Sequence, residues 1–127
     1  MVETATQLTP AAMAAYRRTA RARARSRRER LAARQDRTWE VARRAAAVLK
    51  EEFGARRVAV FGSLVGPARF HERSDIDLAV WGSDERRYYR AVARLLDLDP
   101  TISVDLVEFE HARPALQAVI RREGVFL

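Results

Sequence analysis

The chain has 127 residues, of which 48% are hydrophobic and 32% are charged, a size that suits one compact domain with a short appendage. It contains no cysteine and two histidines, which excludes a disulfide scaffold, a cysteine-ligated zinc site and a thiol nucleophile. Residues 1–50 carry 13 Lys and Arg against 4 Asp and Glu, a net charge of +9, whereas residues 51–127 carry a net charge of −2. The basic charge therefore belongs to the N-terminal part of the chain.

The N-terminal residues lack the basic and apolar regions of a secretory signal. No apolar run approaches the roughly 18 residues that a membrane-spanning helix needs. We therefore expect a soluble, cytoplasmic protein with no membrane contact.

A long helix is predicted to begin at Thr9 and Pro10, because a threonine hydroxyl caps a helix and proline fits its first turn. Gly54 is its predicted end. Asp36 could cap a second helix, which places a soft boundary there. We therefore divide the chain into a basic helical arm, residues 1–37, and a domain, residues 38–127. The apolar positions that predict packing on the domain core are Trp39, Ala42, Ala46, Leu49 and Phe53.

The segment Arg17–Arg37 is rich in Ala and Arg and offers few large apolar side chains. Three interpretations stay open: a solvated helix face, docking on an acidic partner, and contact with nucleic acid. Docking on a partner is favoured over nucleic acid, because the rest of the chain is mildly acidic and no aromatic residues alternate with the arginines.

After Gly54 the pattern changes to that of an α/β domain. Three strands are predicted from their β-branched and aromatic residues: Arg57–Phe61, Ile76–Trp81 and Ser103–Phe109. A helix capped by Ser83 is predicted between the second and third strands, with Tyr88, Val92, Leu95 and Leu96 facing inward and a turn at Asp99 and Pro100. A last helix is predicted over Pro114–Glu123, followed by Gly124 and a short edge strand within residues 125–127.

Two aspartates lie on one face of the second strand. Side chains alternate along a strand, so Asp75 and Asp77 point to one side while Ile76 and Leu78 point to the other. Neighbouring carboxylates repel each other unless a cation bridges them, and Mg²⁺ prefers oxygen ligands. Asp105, near the start of the third strand, could bring a third carboxylate to the same face.

Gly62 and Ser63 follow the first strand and allow a tight turn into a short helix at Leu64 and Val65, whose amides would favour phosphate. A phosphate-binding turn combined with clustered carboxylates is what metal-assisted attack on a nucleotide α-phosphate requires.

The order Gly62-Ser63, Ser74-Asp75-Ile76-Asp77-Leu78 and Val104-Asp105-Leu106 resembles the nucleotidyltransferase superfamily of DNA polymerase β type. The small size resembles its minimal nucleotidyltransferase (MNT) branch, the antitoxin partners of HEPN-domain ribonucleases. The resemblance covers about residues 39–127. It implies a nucleotidyltransferase fold with a mixed sheet flanked by helices, the use of ATP with Mg²⁺, and transfer of AMP to a tyrosine of a HEPN toxin, which silences the toxin.

The resemblance also implies roles for individual residues. Gly62 and Ser63 would hold the triphosphate, and Asp75 and Asp77 would ligate both metal ions. Asp105 would ligate the catalytic metal ion and help to activate the acceptor hydroxyl. Eleven residues separate Ser63 from Asp75, one more than in the common family pattern, so we expect a slightly remodelled phosphate loop.

The alternative to an enzyme is a non-catalytic binding module that blocks its partner by complex formation and uses the arginine helix for contact. The clustered carboxylates favour the enzyme, because a binding module does not need them. Antibiotic adenylylation is disfavoured, since the 90 residues of the domain leave no room for a drug-binding domain. We interpret His71 as a surface loop residue without a catalytic role, and Trp39 and Trp81 as residues of the core or its rim.

Overall fold

The computed structural model describes residues 9–127, which form three α-helices and one four-stranded sheet. In chain order the elements are α1 (Pro10–Phe53), β1 (Arg57–Phe61), β2 (Ile76–Trp81), α2 (Tyr88–Leu96), β3 (Val104–Glu108), α3 (Pro114–Glu123) and β4 (Val125–Phe126). No helix within residues 9–127 has the length and apolar character needed to cross a membrane.

The first helix begins and ends where its sequence signals lie. The Thr9 hydroxyl accepts a hydrogen bond from the amide of Ala12 at 3.0 Å, as predicted for an N-cap. Gly54 follows the last helical residue with φ of +70°, a conformation that glycine adopts without strain. The helix continues without a break through Asp36, because good helix formers on both sides outweigh the capping tendency of one aspartate.

Contacts divide the chain into two units, and the second unit is Arg34–Leu127. In the first unit, none of the residues 10–33 is buried. Burial begins in the second unit with Thr38, whose hydroxyl donates a 2.7 Å hydrogen bond to the carbonyl of Arg34. The part of α1 that packs on a core therefore starts at Thr38.

The sheet has the strand order β3-β2-β1-β4. β1 is antiparallel to both β2 and β4, whereas β3 is parallel to β2. This is the mixed sheet that the resemblance implied. The bounds of β1 and β2 match the prediction, while β3 is shorter than predicted because Phe109 begins a 3₁₀ turn.

The sheet packs on both faces. On one face α3 contributes Ile120 and Leu116, which contact the cluster of Phe61, Ala79 and Phe109. The other face carries apolar side chains that are 0% exposed, namely Val58, Val60, Ile76, Leu78 and Val80. The buried side chains of α1 and α2 lie outside the cluster that α3 joins.

Two predictions about the helices need correction. Asp84, not Ser83, provides the cap before α2, because its Oδ1 accepts a 3.0 Å hydrogen bond from the amide of Arg86, and a 3₁₀ turn separates this cap from α2. Leu96 points outward and is 47% exposed, since the buried positions of α2 are Ala91 and Leu95.

Of the residues predicted on the buried face of α1, Trp39 lies half-buried at the rim.

Candidate functional site

Strand register brings two of the three predicted aspartates together. Asp77 on β2 lies opposite Asp105 on the parallel strand β3, and opposite Phe61 on β1. Neighbouring strands are about 4.8 Å apart and register partners point to the same face, so these carboxylates are adjacent. Asp75 directly precedes β2 and is exposed. Asp77 and Asp105 therefore share one face of the sheet, and Asp75 lies close enough for its charge to act on Asp77.

Asp77 is the central member of this group. It is half-buried, whereas Asp75 and Asp105 are exposed. The pKa of Asp77 is raised to about 6. Burial is the largest cause, and the negative charges of Asp105 and Asp75 add to it. The ionised group is therefore held in an unfavourable environment that a bound cation would relieve.

Gly62 lies in direct contact with Asp77. It follows β1 with φ of +78°, a conformation that side chains with a Cβ rarely adopt. A Cβ built at this position would overlap Oδ2 of Asp77 and lie 3.1 Å from its Cγ. The turn can therefore approach the carboxylate only because residue 62 is glycine.

The predicted short helix at Leu64 and Val65 is instead a 3₁₀ turn over Gly62–Leu64. The amide of Val65 donates a 3.2 Å hydrogen bond to the carbonyl of Gly62. The turn starts earlier than predicted because Gly62 itself adopts the conformation that redirects the chain. Ser63 lies half-exposed in this turn.

The loop before Asp75 is held by local hydrogen bonds. The buried Ser74 accepts a 2.9 Å hydrogen bond from the amide of His71 through its hydroxyl, and its own amide donates to the carbonyl of His71 at 3.0 Å. The Nδ1 atom of the exposed His71 accepts from the amide of Arg73 at 3.1 Å. His71 thus has a structural role within the loop that positions Asp75.

An apolar cleft of about 470 Å³ adjoins Asp77 and Asp105. Its other lining residues are Phe61, Tyr88, Val92, Val104, Leu106, Val107 and Leu116. The hydroxyl of Tyr88 donates a 2.6 Å hydrogen bond to the carbonyl of Leu106. The pKa of Tyr88 is raised, mainly by burial and then by the negative charge of Glu108. This phenol therefore stays protonated and acts as a hydrogen-bond donor.

A second, polar cleft of about 420 Å³ adjoins Asp75. Its lining includes Arg34, Arg73, Thr101 and Ser103, together with Glu72. The sequence did not indicate the two arginines as site residues, because Arg34 and Arg73 come from distant segments and neither lies in a motif. The two arginines could pair with an anionic ligand, and Asp75 beside them could bind a cation that the same ligand carries.

The donor set fits magnesium, since three carboxylates provide only hard oxygen ligands. A tighter group lies elsewhere: among residues 9–127, the ligand atoms of Glu85, Glu108 and His111 are within 4.8 Å of one another. No motif in the sequence indicates this group, in which His111 Nε2 lies 2.9 Å from Glu85 Oε2 and already pairs with that carboxylate.

Comparison with solved structures shows that the fold is shared with toxin–antitoxin proteins. A chain in the toxin–antitoxin MntA–HepT superimposes with a TM-score of 0.53 at 20% identity, covering 69% of each chain. A chain in a toxin–antitoxin structure with AMP-PNP superimposes with a TM-score of 0.55 at 23% identity, covering 65% of this chain and 69% of the other. A mutant of the MntA toxin–antitoxin gives a TM-score of 0.56 at 20% identity, covering 67% and 70%.

Among curated proteins, none matches this sequence. A family model described as polymerase beta, nucleotidyltransferase, matches residues 44–127. That range contains Gly62, all three aspartates and every strand of the sheet. The chain therefore belongs to the polymerase beta nucleotidyltransferase family.

Proposed function

We propose that this chain is an adenylyltransferase antitoxin that transfers AMP from ATP to a tyrosine of a HEPN-domain ribonuclease and thereby neutralises it. The observation that carries the proposal is the pairing of Asp77 with Asp105 in one register, with Gly62 pressed against Asp77. Family membership supports nucleotidyl transfer as the reaction.

The reaction needs an acceptor oxygen to attack the α-phosphorus of ATP. A new P–O bond forms, the bond to the β-phosphate oxygen breaks, and pyrophosphate leaves. Asp105, exposed beside Asp77, accepts the proton of the acceptor hydroxyl. Asp75, Asp77 and Asp105 would hold Mg²⁺, which when bound neutralises the phosphates and lowers the pKa of the acceptor hydroxyl.

The apolar cleft beside Asp77 and Asp105 supports tyrosine as the acceptor. Valine and leucine side chains line most of it, and the two carboxylates are its ionisable groups apart from Tyr88. A phenol ring would bury its apolar edges against these side chains and direct its hydroxyl to Asp105. Serine or threonine would leave most of this apolar surface uncovered.

The polar cleft beside Asp75 supports the placement of ATP on the other side of the carboxylates. Arg34 and Arg73 lie there with Thr101 and Ser103, groups that complement phosphate oxygens. Gly62 and Ser63 remain the proposed contacts of the triphosphate from the turn after β1.

The solved structures with the same fold support the choice of partner. Two of them are described as MntA toxin–antitoxin assemblies and one as a toxin–antitoxin with the ATP analogue AMP-PNP. We infer for this chain a hetero-complex with a HEPN toxin, ATP as substrate and a cytoplasmic location.

The test is transfer of label from ATP labelled at the α-phosphate to a purified HEPN-domain ribonuclease. We expect Mg²⁺-dependent labelling, lost at least 100-fold in Asp77→Asn, since this substitution removes the central carboxylate. Glu85→Gln is the matched control, because it removes one carboxylate from the Glu85, Glu108 and His111 group, and it should keep full activity. Equal labelling by wild type and Asp77→Asn would refute the proposal.

An assay of toxin neutralisation distinguishes an adenylyltransferase antitoxin from a non-catalytic binding module. We expect Asp77→Asn to bind the toxin but to leave its ribonuclease active once the complex is diluted, because no covalent mark remains. A toxin that is neutralised equally by wild type and Asp77→Asn, with no label incorporated, would support the non-catalytic alternative.

A further inference from the structure

The arginine segment, Arg17–Arg30, belongs to the part of α1 that contributes nothing to the core. It contains eight arginines and one acidic residue, Glu29, a net charge of +7. None of its residues is buried, and among residues 9–127 its arginines form no ion pair. Nothing within the described chain balances this charge.

The helical spacing places like charges next to each other. Arg17 and Arg21, Arg21 and Arg25, and Arg23 and Arg27 are each four residues apart. Each such pair destabilises a helix by a few tenths of a kcal/mol, in contrast to the opposite-charge pairs that stabilise exposed helices. The segment would thus gain helical stability from a partner that carries dense negative charge.

The arginines lie on two sides of the helix. At 3.6 residues per turn, Arg17, Arg21, Arg25 and Arg28 form one row and Arg23, Arg27 and Arg30 a second row about 150° away. The narrower face between the rows carries Ala20 and Ala24, whereas the wider face carries Thr19, Ala22 and Ser26 together with Arg18 and Glu29. A partner must therefore present negative charge on both sides of the helix and approach it closely.

The two rows of arginines favour some classes of negatively charged partner over others. A protein surface contacts one side of a helix and would leave one row of arginines unpaired. The major groove of B-form DNA is about 12 Å wide, admits an α-helix and has a phosphate backbone along each wall. The deep major groove of duplex RNA is too narrow to admit an α-helix. Single-stranded nucleic acid is disfavoured as well, because no aromatic side chain lies between Arg17 and Arg37 to stack on bases.

From this geometry we propose that the arginine segment binds in the major groove of duplex DNA, without dependence on base sequence. This reverses the preference for an acidic protein partner that the sequence favoured, because two rows of arginines need negative charge on both sides of the helix. The segment is about 21 Å long at 1.5 Å per residue and spans roughly 6 base pairs. The guanidinium groups of the two rows pair with phosphates of both strands, and Ala20 and Ala24 face the floor of the groove. The proposal does not depend on the adenylyltransferase reaction.

The test measures binding of the full-length chain to a fluorescent DNA duplex of about 20 base pairs over a series of salt concentrations. The arm variant replaces Arg17, Arg21, Arg25 and Arg28 with glutamine. The matched control replaces four exposed arginines of the second unit, Arg43, Arg44, Arg90 and Arg113, and has the same net charge. Circular dichroism checks that both variants are folded.

We expect wild type to bind the duplex with a steep dependence on salt. The arm variant should bind at least 10-fold more weakly at low salt. Its slope of log affinity against log salt should become shallower by about 0.9 for each phosphate that the variant no longer neutralises. The control should remain within threefold of wild type. Duplex RNA and single-stranded DNA of the same length should bind at least 5-fold more weakly than duplex DNA.

Three results would overturn the proposal. Equal weakening in the arm variant and the control would mean that net charge alone attracts the DNA. Equal affinity for duplex DNA and duplex RNA would exclude insertion in the major groove. Loss of HEPN protein binding in the arm variant, without any loss of DNA binding, would assign the segment to an acidic protein partner.

Discussion

At the scale of single residues, Asp77 is the group whose environment most opposes its charge. Its pKa of about 6 results from burial and from the two neighbouring aspartates. The folded state therefore holds a proton on Asp77 in a pH range where the unfolded chain, with a pKa near 3.8, has released it. The raised pKa of Asp77 therefore adds to the free energy of unfolding in full below about pH 4, and this contribution is lost as the pH rises through 6.

We predict that Asp77→Asn stabilises the metal-free protein at neutral pH. The gain in the free energy of unfolding should be on the order of 1–2 kcal/mol at pH 7.5, after allowance for solvent screening of a half-buried group, and close to zero at pH 4. Urea unfolding in the presence of a chelator measures both values. The exposed Glu51→Gln serves as the control, and a gain that is the same at both pH values would contradict the prediction.

Gly62 and Gly54 allow two effects of an added methyl group to be separated. Both have positive φ, but a Cβ at Gly54 meets nothing within 4 Å, whereas a Cβ at Gly62 overlaps the Asp77 carboxylate. We predict that Gly54→Ala costs about 1 kcal/mol of backbone strain. Gly62→Ala should cost at least 1 kcal/mol more and should also reduce AMP transfer.

Chemical denaturation of the two glycine variants measures the difference. Gly62→Val should be more disruptive still, since a branched side chain is both larger and harder to place at φ of +78°. Equal costs for Gly54→Ala and Gly62→Ala would show that Asp77 moves aside freely.

At the scale of elements, β3 is an edge strand that pairs only with β2 among the described strands. The Tyr88 hydroxyl at the start of α2 bonds the carbonyl of Leu106 in the middle of β3. This bond joins the helix to the strand that carries Asp105. It therefore fixes the position of the proposed proton acceptor indirectly, through the backbone of β3.

We predict that Tyr88→Phe lowers the free energy of unfolding by about 1 kcal/mol, the usual worth of one hydrogen bond. Tyr89→Phe is the matched control, because Tyr89 is the adjacent tyrosine and is 84% exposed. It should change stability by less than about 0.5 kcal/mol. A similar loss in both variants would show that the bond to Leu106 does not hold β3.

At the scale of the whole molecule, local signals in the sequence predicted most of the elements. β-Branched runs bounded by Gly and Ser fixed the limits of β1 and β2, and Pro114 with Gly124 fixed those of α3. Asp75 and Asp77 were predicted on one face, because alternation along a strand is independent of tertiary contacts. Asp105 was only a possible third member, because its face depends on how β3 pairs with β2.

Features that depend on tertiary packing could not be predicted. The apolar Leu96 points outward because Ala91 and Leu95 occupy the buried face of α2, and Leu96 lies about 100° around the helix from Leu95. The polar cleft joins Arg34 and Arg73, which are brought together only by the fold. The roles of Gly62, Ser63 and the aspartates in catalysis remain predictions that the proposed transfer assay tests.

Two truncations test where the structural domain begins. Arg34 Nη2 donates a 3.0 Å hydrogen bond to the carbonyl of Thr101, and Arg37 Nε lies 2.7 Å from Oδ2 of the buried Asp99. A chain starting at Arg34 should lose less than about 0.5 kcal/mol of stability, because residues 10–33 bury no side chain.

A chain starting at Thr38 loses both arginines and should be about 2 kcal/mol less stable, because the buried Asp99 then lacks its cationic partner. Thermal and urea unfolding of the two truncated chains measure the difference. A large loss in the chain starting at Arg34 would show that the preceding helix supports the core.

The parallel pairing of β2 with β3 has a consequence for the order of folding. The antiparallel strands β1 and β2 are joined by 14 residues, whereas 22 residues, including α2, separate β2 from β3. Closing the longer connection costs more chain entropy, so the hairpin of β1 and β2 should form before β3 docks. Asp105 therefore joins Asp75 and Asp77 only after that hairpin has formed, and a newly made chain lacks its third carboxylate until β3 docks on β2.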